Sequence, residues 1–365
     1  MSTPRDASRR SFLASATALG AVGLGASLGA AVAKKPGAGD ELRVGCMNLV
    51  TYSHLGIWAP LIRPFTGMRI THCWDIEPEK AKGFANSHGC TSVKNFDDML
   101  GKVDCIISGG YYNHPWNHII HAPYLEAGLP NLINRPFANS VAKADKMVEM
   151  ARKHGATILC PSAFEHSNAI ARAKEWATGK KILCYNATDS TDDYPTHGIH
   201  GVYMACRAIA EAGNPVVSVS YRTKEWFHAP GVVTYEHRDQ DGRAFFGTLH
   251  LAHVGLGTVH IHTDGEYGGK GFEIEAGAGY PYNKTELWAP TLWAYEAMAR
   301  GGDVPQTTEQ ILHKHKVFMA GWWSVLEKDG QPVRLEEVPG DWEAPVELPT
   351  RPQDRVAALF RKKFG

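Results

Sequence analysis

The sequence predicts an α/β chain in two parts: a parallel sheet covered on both faces, then an α+β part with an open, mainly antiparallel sheet. Three observations predict it. Between residues 41 and 163, short apolar runs alternate with stretches of helical length, the signature of a parallel sheet. Beyond residue 164, runs of period two and β-branched content dominate before two helical stretches. A chain of 365 residues is also long enough to bury two cores.

Residues 1–33 read as an export leader and stand outside the fold. Ser8-Arg9-Arg10-Ser11-Phe12-Leu13 is a twin-arginine motif, an Ala/Gly-rich run extends to Val32, and Ala31-Val32-Ala33 offers small residues for cleavage before Lys34. The Gly and Ala content and the cleavage-like end argue against a retained membrane anchor. This predicts a periplasmic or secreted protein, with the twin-arginine machinery as a partner. Such a chain folds in a reducing cytoplasm, so the seven cysteines, odd in number and without a Cys-x-x-Cys, read as buried small hydrophobes.

Lys+Arg and Asp+Glu both total 38, and this zero net charge leaves no basic excess to hold a nucleic-acid backbone. The 18 histidines, many paired in the second half, raise the expectation of a metal or proton-transfer site without locating it.

In the first part, residues 42–47, 68–74, 103–108, 131–134 and 156–160 read as strands, and 78–87, 118–127 and 140–154 as helices. Ligands of such sheets bind beyond the carboxyl ends of the strands, where strand order reverses. The segments at those ends are informative. Asp75-Ile76-Glu77-Pro78-Glu79-Lys80-Ala81 follows the second strand, His118 precedes Tyr124-Leu125-Glu126-Ala127-Gly128, and Leu132-Ile133-Asn134-Arg135-Pro136 follows at a fixed spacing.

In that order these segments resemble the Gfo/Idh/MocA oxidoreductase family over most of residues 41–330. The resemblance implies a Rossmann-like nucleotide-binding domain over 41–163 and an α+β substrate and oligomerisation domain over 164–330. Residues 331–365, rich in Pro and charge, read as a C-terminal arm. It also implies NAD(P), a small carbohydrate substrate and a homo-oligomer through the open sheet face. Exported protein has no access to exchanging cytoplasmic nicotinamide, so the cofactor is expected to be tightly bound. Its expected contacts are Gly45, Asn48, His54, Asp75, His114 and Asn134.

Two departures fall on the chemistry. The phosphate turn should be glycine-rich so that backbone N–H groups can approach a pyrophosphate. Here only Gly45 stands in place, followed by a longer, bulkier segment to Gly56. The family's Glu-Lys-Pro becomes Asn134-Arg135-Pro136, and arginine suits carboxylate binding better than proton exchange.

In the second part, residues 215–221, 243–254, 257–263 and 271–276 read as strands, and 285–300 and 308–326 as helices. By the resemblance His200 is the catalytic histidine, although the family's flanking aspartates are missing. His197 and His200 form a His-x-x-His beside Asp192 and Asp193, a spacing that can hold one metal ion on a helix face. Glu165-His166 falls where the two parts meet. His260 and His262 share a sheet face and read as interface residues.

Two enzymes follow. One is an oxidoreductase on a sugar, polyol or sugar acid, with His200 as base and Arg135 orienting substrate beside His197 and His166. The other is a nicotinamide-independent lyase, epimerase or hydrolase with a divalent metal such as Zn or Mn on Asp192, Asp193, His197 and His200. A non-enzymatic carbohydrate binder is the third reading.

Overall fold

A computed structural model describes residues 39–49, 53–110, 112–190, 193–225, 230–252, 257–265, 267–274, 287–345 and 354–365. The export leader, Asp192, His228 and His253 lie outside the described residues.

The first sheet has six parallel strands in the order β3-β2-β1-β4-β5-β6. They are β1 (Leu42–Met47), β2 (Met68–Trp74), β3 (Thr91–Ser92), β4 (Cys105–Ser108), β5 (Asn131–Ile133) and β6 (Ile158–Leu159). Strand order runs outward one way from β1 and the other way from β4, so it reverses between them. Helices α1 (Leu55–Phe65), α2 (Pro78–His88), α3 (Asn117–Ile120), α4 (Ala122–Glu126) and α5 (Val141–His154) make the connections.

Helix α1 was not expected, because Pro60 and Pro64 lie inside it. Its buried stripe of Leu55, Trp58, Ala59, Leu61 and Ile62 overrides that local penalty. Helix α5 obeys its signals. The Ser140 hydroxyl accepts from the Lys143 N–H at its start, and Gly155 closes it in the left-handed region.

The second sheet has seven strands in the order β12-β11-β7-β10-β9-β8-β13. They are β7 (Ile182–Ser190), β8 (Val216–Thr223), β9 (Gly231–Arg238), β10 (Ala244–Ala252), β11 (Thr258–Thr263), β12 (Lys270–Glu273) and β13 (Val333–Arg334). All pairs are antiparallel except β7 with β10. Thr188, Asp189 and Ser190 are the end of β7, paired with β10, and Thr188 pairs with β11 as well.

Helices α6 (Asn168–Ala177), α7 (Ile199–Ala208) and α9 (Thr308–Glu327) pack against this sheet. Its other face is open: Leu183 and Phe246 are exposed, and His260 stacks on His262 with ring centroids 4.7 Å apart. Free Cys184 is also exposed, unlike the buried Cys46, Cys73, Cys105, Cys160 and Cys206.

Helix α8 (Ala289–Ala299) ties back to the first sheet. Its Tyr295 hydroxyl donates to the Ile106 carbonyl at 2.5 Å, and Glu296 accepts from the Gly67 N–H at 3.0 Å. The C-terminal stretch is more than a surface arm. β13 extends the second sheet, and helix α10 (Asp354–Phe364) packs into an apolar cluster of the first. No described helix is long and apolar enough to cross a membrane.

Candidate active site

Beyond the carboxyl ends of β5 and β6, one cation and two imidazoles converge. Arg135 follows β5 and is 1% exposed. Its Nη2 lies 2.7 Å from His200 Nε2, on α7, and 3.0 Å from His54 Nε2, just before α1. A guanidinium only donates, so both Nε2 atoms accept and both rings are neutral. His200 then carries its proton on Nδ1 and donates it to Ser162 Oγ at 2.6 Å, a tautomer assigned from this network.

The electrostatics agree. Burial holds both histidines well below the usual imidazole range, and the nearby Arg135 charge pushes them further down. Aromatic rings wall the pair. Trp58 and Trp288 meet His54 edge-on at 5.3 and 5.1 Å, and Phe164 tilts over His200 at 5.0 Å.

A buried polar network supports His200 from behind. The Ser162 N–H donates to Glu165 Oε2 at 3.1 Å, and Lys314 Nζ reaches both Glu165 oxygens at 2.8 and 3.0 Å. Lys314 also donates to the Cys160 carbonyl at 2.7 Å and to Gln306 Oε1 at 2.6 Å. Burial raises the Glu165 carboxyl more than Lys314 lowers it. Ser162 and this network carry no sequence motif and were not expected.

Of the expected metal group Asp192 lies outside the described residues, and the described members, Asp193, His197 and His200, do not converge on one point. His200 has Nδ1 on Ser162 and Nε2 against a guanidinium, which occupies the position a cation would need. Asp193 instead caps the turn before α7, its Oδ1 accepting from the Thr196 N–H at 2.7 Å. Burial raises the Asp193 carboxyl, but its bonds to His197 and Thr196 outweigh that and hold it low. His197 lies on a wide π-type turn, its ring centroid 6.5 Å from His200. Among the described residues no three His, Cys, Asp or Glu side chains converge as a metal site. His166 is buried beside Glu165 at 4.0 Å, on the side of the Lys314 network.

The residues expected to hold a dinucleotide make contacts within the chain, although the buried Oδ1 atoms of Asn48 and Asn134 have no hydrogen-bond partner. Gly45 is inside β1, where a Cβ would come within 2.8 Å of Ile106, so its role there is packing. Asn48 takes the left-handed turn position, φ 55°, and donates to Ser108 Oγ at 2.9 Å. Asp75 accepts from the N–H groups of Leu49 at 2.7 Å and Glu77 at 2.9 Å. Asn134 donates to the Gly109 carbonyl at 2.6 Å. His54 belongs to the Arg135 cluster, and His114 is buried in a short 3₁₀ turn (His114–Trp116).

The space among Asn48, Asp75, Ile76, Tyr112 and Asn113 is closed by Val356 and Phe360 of α10, leaving a cavity of about 10 Å³. That is room for about one water, whereas ligand pockets measure roughly 300 Å³ or more. With α10 docked, the groove does not fit an adenosine.

Residues 44–161 match the family model described as an oxidoreductase family with an NAD-binding Rossmann fold. No curated protein matches the chain. Among solved structures, a probable dehydrogenase from Thermotoga maritima superposes with a TM-score of 0.65 at 15% identity, covering 82% of this chain and 100% of its own. A scyllo-inositol dehydrogenase from Lactobacillus casei, with bound NAD(H) and scyllo-inositol, has a TM-score of 0.64 at 13% identity, covering 81% and 100%. An oxidoreductase from Agrobacterium radiobacter in complex with NAD+, L-tartaric acid and magnesium has a TM-score of 0.61 at 15% identity, covering 81% and 99%. At these identities the likeness is one of fold.

Proposed function

From a chain whose first sheet matches the Gfo/Idh/MocA oxidoreductase family, we propose an exported enzyme that acts on a small hydroxylated carbohydrate, foremost a sugar acid, in the cleft of Arg135 and His200. One observation carries the reading: a buried guanidinium placed 2.7 Å from an acceptor nitrogen of a neutral histidine.

Arg135 and His200 face each other as a donor and a base. A substrate hydroxyl that enters between them accepts from Arg135 Nη2 and donates to His200 Nε2. His200 takes the hydroxyl proton, and its new positive charge is stabilised through the Nδ1–H bond to Ser162. Arg135 holds the oxyanion that remains, and grips a carboxylate in bidentate fashion where the substrate has one. His54, within 3.0 Å of the same guanidinium nitrogen, orients it from the opposite side. The ligands named for two fold neighbours, L-tartaric acid and scyllo-inositol, support this substrate class.

Oxidation of that carbon is the outcome the family match favours, and it would require α10 to leave its groove so that a bound nicotinamide could accept the hydride. The packing of α10 favours a second outcome without a nicotinamide, in which His200 takes the C–H proton beside a carboxylate held by Arg135, and the carbanion either regains a proton on its other face or expels its β-hydroxyl as water with that proton. The twin-arginine leader supports a periplasmic or secreted location, and the open face of the second sheet supports self-association.

The test is turnover by the mature protein of a panel of aldonates, uronates and polyols, followed by proton NMR with and without added nicotinamide. Turnover that disappears in both Arg135→Gln and His200→Ala is expected. Turnover retained in both variants would sink the reading.

A further inference from the structure

The apolar cluster on one face of the first sheet has a member from the far end of the chain. Met47 of β1, Trp74 of β2, Ile106 of β4 and Trp116 pack with Val356, Ala357 and Phe360 of α10, all three of them buried. The Phe360 ring stacks on Trp116 at 5.1 Å and 23°, and meets Trp74 edge-on at 6.3 Å. Lys363 Nζ lies 5.1 Å over the Trp74 ring, and Arg355 pairs with Glu77 just beyond the Asp75 turn. Residues 356, 357, 360 and 364 form one stripe of the helix, so this is an amphipathic helix with its apolar side inward.

The place matters more than the packing. Met47, Trp74 and Ser108 are the last residues of β1, β2 and β4; β1 and β4 flank the order reversal where a doubly wound sheet receives its ligand, and β2 lies beside β1. The side chains lining the residual cavity with Val356 and Phe360 (Asn48, Asp75, Ile76, Tyr112 and Asn113) follow those three ends. Space nearby is closed as well: a Cβ on Gly110 would collide with Asn113 Oδ1 and meet Asn48 at 2.8 Å.

We infer that α10 is the resident occupant of the adenosine half of this groove, a segment of the chain standing where an NAD-binding domain would take its nucleotide. The docked helix and an adenosine exclude each other, so the mature protein takes up no free dinucleotide. The inference concerns only this half-site. It leaves Arg135, His54 and His200 untouched, and so stands or falls apart from the reading of the reaction centre.

The experiment is calorimetric titration of the mature chain with NADH and with ADP-ribose, beside Phe360→Ala and a chain ending at residue 345. No heat is expected for the mature chain at millimolar ligand. A gain of at least tenfold in affinity is expected for the shortened chain and for Phe360→Ala. Binding by the mature chain at micromolar ligand overturns the inference, since the helix then excludes nothing. A folded Phe360→Ala chain that gains no affinity also overturns it, and decides the matter should the shortened chain fail to fold.

Discussion

The carboxyl edge of the first sheet is used in two opposite ways along its length. Over β1 and β2 it is filled by hydrocarbon and aromatic rings, and Asp75 and Asn48 are committed to the chain's own backbone and side chains. Over β5 and β6, Arg135, His54 and His200 gather donors and acceptors at one point. Filling an edge with apolar side chains favours folding through burial alone. Bringing a cation against two imidazoles does not, because it desolvates a charge and lowers both imidazole pKa values. The contrast separates a region that holds the fold from one that apolar burial does not account for, and it is there that the reaction is proposed.

Four measurements break or sharpen that contrast. The largest effect is expected for His200→Ala, which should lower turnover by about 10²- to 10⁴-fold while leaving the melting temperature within a few degrees. A variant that loses stability instead of activity would place the reaction centre with the structural edge.

Next is Lys314→Met, which strands the Glu165 carboxylate without its cation and should cost about 3–5 kcal/mol in urea unfolding. A loss below about 1 kcal/mol, the worth of a surface pair, would mean that solvent reaches the network.

The third measurement is pH. His121, His237 and His315 are lowered by burial to about 4, and His54, His166 and His200 well below the ordinary value. A lowered pKa means that the unfolded chain binds the proton first, so their contribution is intact above pH ~6.5 and falls as pH drops below it. Each adds about 1.4 kcal/mol per pH unit to the slope. Urea midpoints between pH 7 and 5 should therefore fall steeply. A flat profile would show that these rings are charged or exposed in the folded state.

The smallest effect is that of Ser162→Ala, which removes the acceptor that fixes the His200 tautomer. About a tenfold loss of kcat is expected, with the acidic limb of the pH profile moved to lower pH. An unmoved limb would leave Ser162 a packing residue only.

Much of this was legible in sequence, and for a physical reason. Strands β1 and β2 were readable because apolar runs of fixed length end at Asn48 and Asp75. The approach of Arg135 to His200 followed from the order of short motifs. Ser162 and Lys314 were not readable, because their partners lie 38 and 149 residues away and no local pattern records such pairings. His54 was placed with the cofactor because position at a strand end says nothing about which neighbour a ring will face. Helix α10 left a signal in Val356, Ala357, Phe360 and Phe364, masked by the Pro-rich stretch before it.

Lys314 stands on α9, which packs against the second sheet, yet its ammonium grips the Cys160 carbonyl at the end of β6 in the first. Parting the two halves along that seam would break the bonds of Lys314 to Glu165 and to the Cys160 carbonyl together, so a hinge there opens only at the cost of a buried, hydrogen-bonded ion pair. The two sheets are thereby fixed to each other at the very place where the reaction is proposed, and any selection among substrates there falls to side-chain movement within a fixed frame.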